Sequence, residues 1–423
     1  MSTGSPSSSL KFAALHVPAY RRYFVVLLLS MIADNIEHVI SYWVMFQAFH
    51  SPALAGFAVI SHWVPFLLFS LHTGALADRY DCRKLIHISQ VLYIVASIAW
   101  GLLFLTDTLQ MWHAVVILLI HGAAGVIVAP ASQLIIHEMV GIEQLPSAIR
   151  LNASSRYLAI LLGPAIGGGL MLLLGSAWGL LANVLIYLPF TMFALRTPYT
   201  GHGGRAAGRS ARPFAWADVG RVLAIARADP RIMTMIVLAG ASSFFVGNAF
   251  QAQMPEYAQY LGADDGGALY SILLAANAAG AIVGVIWLEG GANLRPSTRA
   301  AMLFAILWGI TMGLFPMAQS YATAVGLLVL SGMFSIAFTS MAQTLVQLLA
   351  PAHVRGSIVG LFNTSMLGLR AGAGVTVGVV GTFIGVRLSL ELSSFAFVLV
   401  AVWLLARERV ANGGAAALEE TVN

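Results

Sequence analysis

Long blocks of apolar residues, separated by short polar stretches, follow one another along almost the whole chain. Within each block the apolar residues are continuous rather than alternating, which indicates helices and excludes a strand barrel. A helix needs roughly 20 apolar residues to cross a bilayer. Twelve blocks reach about this length, at about residues 23–49, 53–77, 85–106, 112–137, 146–174, 178–196, 231–256, 266–289, 298–318, 322–349, 356–385 and 388–406. The pattern predicts an all-α polytopic membrane protein with twelve transmembrane helices.

The longest polar stretch, residues 197–230, divides these spans into six and six. The predicted units are an N-terminal half (1–196), a cytoplasmic linker (197–230), a C-terminal half (231–409) and a polar tail (410–423). In each half a loop proline (Pro146, Pro351) precedes an asparagine (Asn152, Asn363) and a helix of small residues. Such duplication is typical of secondary transporters that rock two halves about a central site.

Composition and charge support a membrane protein. Only 9% of the residues are charged, against roughly 25% in a soluble domain, which excludes a soluble enzyme. The single cysteine, Cys82, excludes an internal disulfide and a cysteine-based zinc site. All but three of the 22 Lys and Arg residues lie on the cytoplasmic side if the amino terminus is inside. We therefore expect a multi-pass inner-membrane protein with both termini cytoplasmic and no nucleic-acid partner.

Between spans two and three lies the segment GALADRYDCRK, residues 74–84. It resembles the signature G-x-x-x-D-R-x-G-R-R-K of the major facilitator superfamily, with Asp81 in place of the usual Gly and Cys82 where Arg is common. The matching residues are Gly74, Asp78, Arg79, Arg83 and Lys84. The resemblance implies the twelve-helix major facilitator fold, a monomer, and a cytoplasmic gate that uses the amino-terminal dipole of span eleven. The alternative is that these charges only mark a cytoplasmic loop.

Span five contains GPAIGGG, which resembles the G-P-x-x-G-G signature of the antiporters of that superfamily through Gly163, Pro164, Gly167 and Gly168. Gly163 and Gly167 are four residues apart and let another helix approach closely, while Pro164 permits a bend. The alternative is that these residues serve only the packing of helices.

The resemblance extends to the branch of siderophore and macrolide exporters. Leu151 and Asn152 match that branch, but Ile160 stands where it has an Arg, and Arg156 lies on the same helical face instead.

Span one contains Asp34, Glu37 and His38, which share one helical face. Two neighbouring carboxylates in a medium of low dielectric constant cannot both ionise cheaply, so this group is a candidate for binding and releasing a proton or a substrate. One alternative is that the cluster only pairs with Arg156 or Arg370. Another is a metal site, but three side chains on one turn rarely complete a coordination shell. We therefore predict neither a metal nor a cofactor.

Arg370 lies about fourteen residues into span eleven, near the middle of the membrane, where it can balance a carboxylate or bind an anionic substrate group. Arg156 is nearer the end of its span, and a position at the membrane–water interface explains it equally well. His62, His72 and His121 also fall within spans, and a single membrane histidine is more often a packing residue than a ligand. Aromatic and flexible side chains suggest a roomy cavity, with lipid-facing positions as the alternative: Tyr42, Trp43, Phe46, Trp63, Phe244, Phe245, Met341 and Gln343.

Nucleotide-binding and hydrolase motifs are missing from the sequence, which predicts a gradient-driven protein rather than an enzyme. The sequence predicts a proton-coupled exporter of an amphiphilic small molecule, drug-like or siderophore-like, working by alternating access. Its partners would be that substrate, protons and the lipid bilayer. The alternatives are a lysophospholipid flippase, since Asp34 and Asn35 also resemble that facilitator branch, a passive carrier or importer, and a membrane sensor that moves nothing.

Overall fold

The computed structural model describes residues 12–202, 216–262, 267–290, 296–351 and 354–422. Every regular element in these ranges is helical. The helices are α1 (Pro18–Phe49), α2 (Pro52–Arg79), α3 (Cys82–Leu105), α4 (Met111–Arg196), α5 (Trp216–Ala228), α6 (Pro230–Phe245), α7 (Ala249–Tyr260), α8 (Ala268–Gly290), α9 (Thr298–Leu314), α10 (Tyr321–Leu349), α11 (Arg355–Asn363), α12 (Ala371–Ala373), α13 (Val380–Ile384) and α14 (Val386–Val422). Short 3-10 turns lie at Ala13–His16 and Phe315–Met317.

Helix α4 is not one straight rod. It is broken at Gly141 and Gly175, where φ is 66° and 77°, in the left-handed region that glycine adopts without strain. In the described chain eleven helices are long and apolar enough to cross a membrane, and the one over Leu158–Arg196 divides at Gly175. The chain therefore crosses twelve times, and the prediction of an all-α, twelve-helix membrane fold is confirmed.

Spans seven and eleven are interrupted, unlike the regular α10. Span seven consists of α6 and α7, with Gly247 at φ 46° between them. Span eleven consists of α11 to α13 joined by two π-helical stretches, Thr364–Gly368 and Gly374–Val379. Such stretches are rare and often mark functional sites in helices. Helix α14 runs on to Val422, so the stretch predicted as a polar tail is helical up to that residue.

The two halves meet at the end where α1 finishes and α2 begins, here called the closed end. Tyr270 Oη donates to the Val39 carbonyl over 3.2 Å, and Gln253 Nε2 donates to the Pro52 carbonyl over 2.9 Å. The ring of Trp43 stacks on Tyr270 with centroids 5.4 Å apart. Polar and aromatic contacts together hold this end shut.

Glycines bring α2 and span eleven into backbone contact at the closed end. A Cβ atom on Gly374 would lie 2.5 Å from the Gly56 carbonyl oxygen, and one on Gly378 would collide with the Gly56 Cα. A larger side chain at any of these three positions would push the helices apart. The division into halves at 196 and 231 stays a prediction; α5 lies inside the predicted linker and packs against α6 and α11.

Candidate functional site

A cavity of about 270 Å³ lies between the two halves. It extends from Tyr42 and Tyr270, near the closed end, to Leu27 and Gln133, toward the opposite end. At 1.5 Å per residue along α1, the step from Leu27 to Tyr42 is about 22 Å. The acidic, histidine and arginine side chains that line it are Asp34, His38, His62, Arg156 and Arg370.

His121 of α4 joins the two carboxylates of α1. Its Nδ1 lies 2.8 Å from Glu37 Oε1 in a buried hydrogen bond. Its Nε2 lies 2.8 Å from Asp34 Oδ1, an ion-pair distance, although the N–H direction there is not aligned for a hydrogen bond. Carboxylate oxygens on both sides of one ring favour its doubly protonated, positive form, since a nitrogen lone pair would face an anion.

Glu37 is held on its other side by a polar chain from two further helices. Ser97 of α3 donates to Glu37 Oε2 over 2.6 Å. Asn183, in the last part of α4, donates to Ser97 Oγ over 3.3 Å and to the Ala33 carbonyl over 2.9 Å. Glu37 is only 1% exposed. Each of its oxygens has a partner, as a buried carboxylate requires.

His38 and His62 lie between this buried group and the cavity. The ring centroids of His38 lie 4.7 Å from His121 and 5.1 Å from His62. His38 Nδ1 is 3.8 Å from Asp34 Oδ2. One ring nitrogen from each of the three histidines falls within a 4.8 Å spread, but both nitrogens of His121 face carboxylates. A metal ion would have to break one of those contacts, and the absence of a metal stays a prediction.

The two arginines approach from different halves. The guanidinium of Arg370 lies 4.7 Å from the centre of the Trp63 ring, a cation–π distance. Arg156 is exposed to the cavity. His121, which the sequence interpretation treated as a packing residue, lies against both Asp34 and Glu37. The alternative that the cluster pairs with Arg156 or Arg370 stays a prediction. The signal was available, because buried acids require a compensating charge and His121 lies in the middle of the apolar block of span four, away from His113 and His137 at its ends.

The predicted cavity side chains are scattered. Tyr42 and Trp63 line the cavity between the halves. Phe46 lines a small separate pocket beside Glu256. The other five lie elsewhere: Trp43 and Met341 are packed in the core, Phe245 is half-buried, and Phe244 and Gln343 are exposed. Spacing along a helix does not specify which way that helix is rotated.

The segment 74–84 comprises the end of α2, the turn at residues 80–81 and the start of α3. Asp81 caps α3 by accepting a hydrogen bond from the Arg83 backbone N–H over 2.9 Å, and its carboxylate lies 2.6 Å from Arg83 Nη2. The hydrogen bonds from Arg83 hold the pKa of Asp81 below its usual value. The same guanidinium donates to the Thr197 carbonyl over 3.0 Å. The aspartate that departs from the signature therefore orients its arginine.

The rest of this motif is placed as follows. A Cβ on Gly74 would meet no atom within 4 Å, and Arg79 and Lys84 are exposed. The side chain of Asp78 lies outside the described residues. Cys82 is buried, and its N–H donates to the Thr200 carbonyl over 2.9 Å. The chain after span six is thereby tied to the turn, while the motif's role as a cytoplasmic gate stays a prediction.

The glycines of span five serve close packing. A Cβ on Gly163 would collide with the Asn35 Cβ, and one on Gly167 would touch Val39 at 3.4 Å. A Cβ on Gly168 would lie 2.5 Å from Ser271 Oγ of the other half. Pro164 lines the cavity. The motif therefore packs span five against both α1 and α8.

Solved structures of other transporters share this helix arrangement. A bacterial homologue of the human lysosomal transporter Spinster, inward-facing and unoccupied, gives a TM-score of 0.70 at 13% identity over 95% of this chain and 98% of that one. A nucleoside transporter gives 0.70 at 14% identity, over 92% and 98%. A D-xylose–proton symporter gives 0.67 at 16% identity, over 93% and 97%. At such identities the likeness establishes the fold alone.

Two matches to other sequences differ greatly in extent. The Staphyloferrin A transporter of Staphylococcus aureus is 21% identical over 154 residues, which is 36% of this chain and 39% of that protein. The chain thus matches about two fifths of the length of that curated relative. By contrast, residues 23–375 match the family described as the Major Facilitator Superfamily. That match covers well over half of the chain, and the protein therefore belongs to this superfamily of membrane transporters.

Proposed function

We propose that this transporter is a proton-coupled exporter that moves an amphiphilic small molecule, drug-like or siderophore-like, across the inner membrane by alternating access. The observation that carries the proposal is the Asp34–His121–Glu37 group. It is an ionisable cluster buried in one half of the protein, and it reaches the cavity between the halves through Asp34. Charge buried at membrane depth is costly and is retained where protons or substrates pass.

The proposed orientation places the arginine-rich turns in the cytoplasm. The end closed by Tyr270 and Gln253 then faces outward, and the cavity opens inward. An amphiphile would enter from the cytoplasm. Its apolar part would pack on Tyr42, Trp63 and neighbouring rings, and its polar part would lie near Arg156 and Arg370. The proposed unit is a monomer, because each chain encloses a complete cavity.

One sequence feature supports export and another supports the class of substrate. The span-five motif, with Gly163 and Gly167 against α1, resembles that of antiporters. The partial match to the Staphyloferrin A transporter supports a metabolite of the siderophore kind. The proton would return inward as the substrate leaves, and the Asp34–His121 contact would be broken and remade once per cycle.

The test uses proteoliposomes and three fluorescent probes: a cationic rhodamine, an anionic fluorescein and a labelled lysophospholipid. An imposed pH gradient should drive accumulation of at least one of the two dyes. Asp34→Asn should abolish the gradient-driven part while exchange of dye against dye persists. The matched control is Asp107→Asn, the same change in the exposed turn after α3, which should behave as wild type.

Three results would overturn the proposal. Dye movement that ignores the pH gradient would indicate a passive carrier. Transfer of the lysophospholipid with neither dye moved would indicate a flippase. Binding of probes, shown by thermal shift, without any movement of them would indicate a sensor.

A further inference from the structure

We propose that the coupling proton is carried by His121 on its Nε2 atom, and not by a proton shared between Asp34 and Glu37, with His38 and His62 linking it to the cavity. This inference rests on the proposed function. It names a residue that sequence spacing does not single out, because His121 comes from α4 and both carboxylates come from α1.

The two carboxylates do not face each other across a shared proton. Each faces a different nitrogen of the same imidazole at 2.8 Å. The Nδ1 hydrogen bond and the Nε2 ion-pair contact each place a ring nitrogen against a carboxylate oxygen, and the imidazolium is the form that carries a hydrogen on both nitrogens. A neutral ring would leave one nitrogen lone pair against a carboxylate oxygen. The exchangeable proton of the group is therefore one of the two on the ring.

The polar chain behind Glu37 fixes that residue as a carboxylate. Asn183 Nδ2 donates to Ser97 Oγ, so the Ser97 hydroxyl hydrogen is directed to Glu37 Oε2. A proton on that oxygen would face the Ser97 hydrogen. The other oxygen already accepts from His121 Nδ1. Glu37 thus serves as a fixed counter-ion that positions the ring.

Access distinguishes the two ring nitrogens. Nδ1 faces Glu37, which is 1% exposed, whereas Nε2 faces Asp34, whose side chain is 25% exposed and lines the cavity. His38 and His62 line the same cavity. A proton on Nε2 can therefore exchange with cavity water through Asp34 or the two neighbouring imidazoles.

Other polar or ionisable groups surround the ring. Among the described residues, those that face the cluster include Asp34, Glu37, His38 and Tyr42 from α1, His62 from α2, Tyr93 and Ser97 from α3, and Asn183 and Tyr187 from the last part of α4. Arg370, from the other half, lies beyond His62 against Trp63. Loss of the Nε2 proton leaves Asp34 beside a lone pair, so its carboxylate should turn toward the arginines that line the cavity. One of these belongs to the opposite half, which would link protonation to movement.

The test needs no substrate. Spin labels at Arg196→Cys and Leu348→Cys, exposed positions at the ends of spans six and ten, would report the distance between the halves at the open end. The background is Cys82→Ser, which removes the single native thiol. The distance distribution of this doubly labelled protein, measured by electron–electron resonance across a pH series in nanodiscs, should change with pH.

Two substitutions of His121 should then lock opposite states. His121→Gln, which has no charge at any pH, should give the high-pH distribution throughout, and His121→Lys should give the low-pH one. The control is His72→Gln, a histidine exposed on α2, which should keep the wild-type titration. If labelled His121 variants do not fold, unlabelled His121→Gln should keep dye-for-dye exchange and lose gradient-driven accumulation.

The inference fails alone if wild type responds to pH and His121→Gln titrates as wild type does, or if only Asp34→Asn or Glu37→Gln removes the response. It fails together with the proposed function if wild type shows neither a pH-dependent distance nor pH-driven dye transport.

Discussion

The two halves of the protein bury different chemistry within the same kind of six-helix bundle. The N-terminal half encloses Glu37, His121 and Asn183. In the C-terminal half, the buried polar residues among those the structure describes are serines, threonines and Gln253. A charge buried in low dielectric has to be balanced close by, and here the balance is complete within one half. The first half therefore encloses an ionisable cluster whose charges are balanced locally, and the second is built mainly by packing.

The second half differs from the first in having irregular helices rather than buried charges. Its span eleven is interrupted by the stretches Thr364–Gly368 and Gly374–Val379, with Arg370 between them. A π-helical turn loosens the regular hydrogen-bond ladder and allows a helix to change shape. The comparison predicts a large loss of folding stability when a buried charge is removed from the first half. It also predicts that the closed end will open when a larger side chain is placed where the second half contacts α2.

The largest expected effect follows removal of the buried carboxylate. Glu37→Ala leaves the His121 and Ser97 hydrogen-bond donors without their acceptor, and breaking a buried pair in this way costs about 3–5 kcal/mol. Thermal and denaturant unfolding in detergent would measure the loss. A loss below about 1 kcal/mol, the usual range of an exposed pair, would show that the cluster is solvated and would remove the contrast between the halves.

A matched pair of serines sharpens the same comparison. Ser97→Ala removes a hydrogen bond to a charged group, worth about 1.5–3 kcal/mol. Ser389→Ala removes one to the neutral Thr376 carbonyl at 2.7 Å, worth about 0.5–1.5 kcal/mol. Both serines are buried, so burial does not explain a difference. Equal losses in the same unfolding assay would contradict a charged Glu37.

Added bulk should open the closed end. Gly378→Leu would collide with the Gly56 backbone and should cost about 1–3 kcal/mol as an overpacked contact. The closed end should also become accessible to a thiol reagent at an introduced cysteine such as Ser51→Cys. The control is Gly326→Leu on α10, where a Cβ would meet no atom within 4 Å. Unchanged accessibility in the Gly378 variant would show that this contact does not close the cavity.

The smallest expected effect concerns two capping pairs outside the membrane. Asp81 pairs with Arg83 at the start of α3, and Asp229 pairs with Arg231 at the start of α6. In both, the hydrogen bonds from the arginine lower the aspartate pKa. A lowered pKa contributes stability above the ordinary value of about 3.9, which is lost as the pH falls through the lowered value.

Because both pairs are partly exposed to solvent, the contribution should be about 0.2–1 kcal/mol each. Asp81→Asn should cost more than Asp229→Asn, since Arg83 also binds the Thr197 carbonyl. Unfolding at neutral pH and below pH 4 would measure both, and the difference between variant and wild type should shrink at the lower pH. A stability difference between variant and wild type that grows below pH 4 would contradict a lowered aspartate pKa.

The sequence predicted the fold, and it singled out three side chains of the candidate site. Continuous apolar blocks of membrane length gave twelve spans, because the bilayer imposes that length on any helix. Ionisable side chains within such a block, Asp34, Glu37 and His38, indicated a candidate site, because burying an ionisable group in a membrane is costly. The same rule, applied to His121, would have found their partner, but spacing along one helix does not specify which other helix faces it.

Rotation and contact between helices were decided by the tertiary structure alone. Met341 is buried and Gln343 is exposed, although they lie two residues apart on α10, and neither lines the cavity. Their positions depend on how α10 is turned against its neighbours, and an apolar helix in lipid has no strongly polar face to indicate that turn. The same holds for Gly56. A side chain at this position is excluded only because span eleven lies against it, which the sequence of α2 does not show.

The sequence by itself determined that this chain is a helical membrane protein with costly charges in span one, because the hydrophobic effect and the price of buried charge act on local composition. Only the tertiary structure decided that those charges close around His121 and that the cavity lies between the halves. Both depend on side chains from helices far apart in sequence, and their pairing is set by packing geometry rather than by composition.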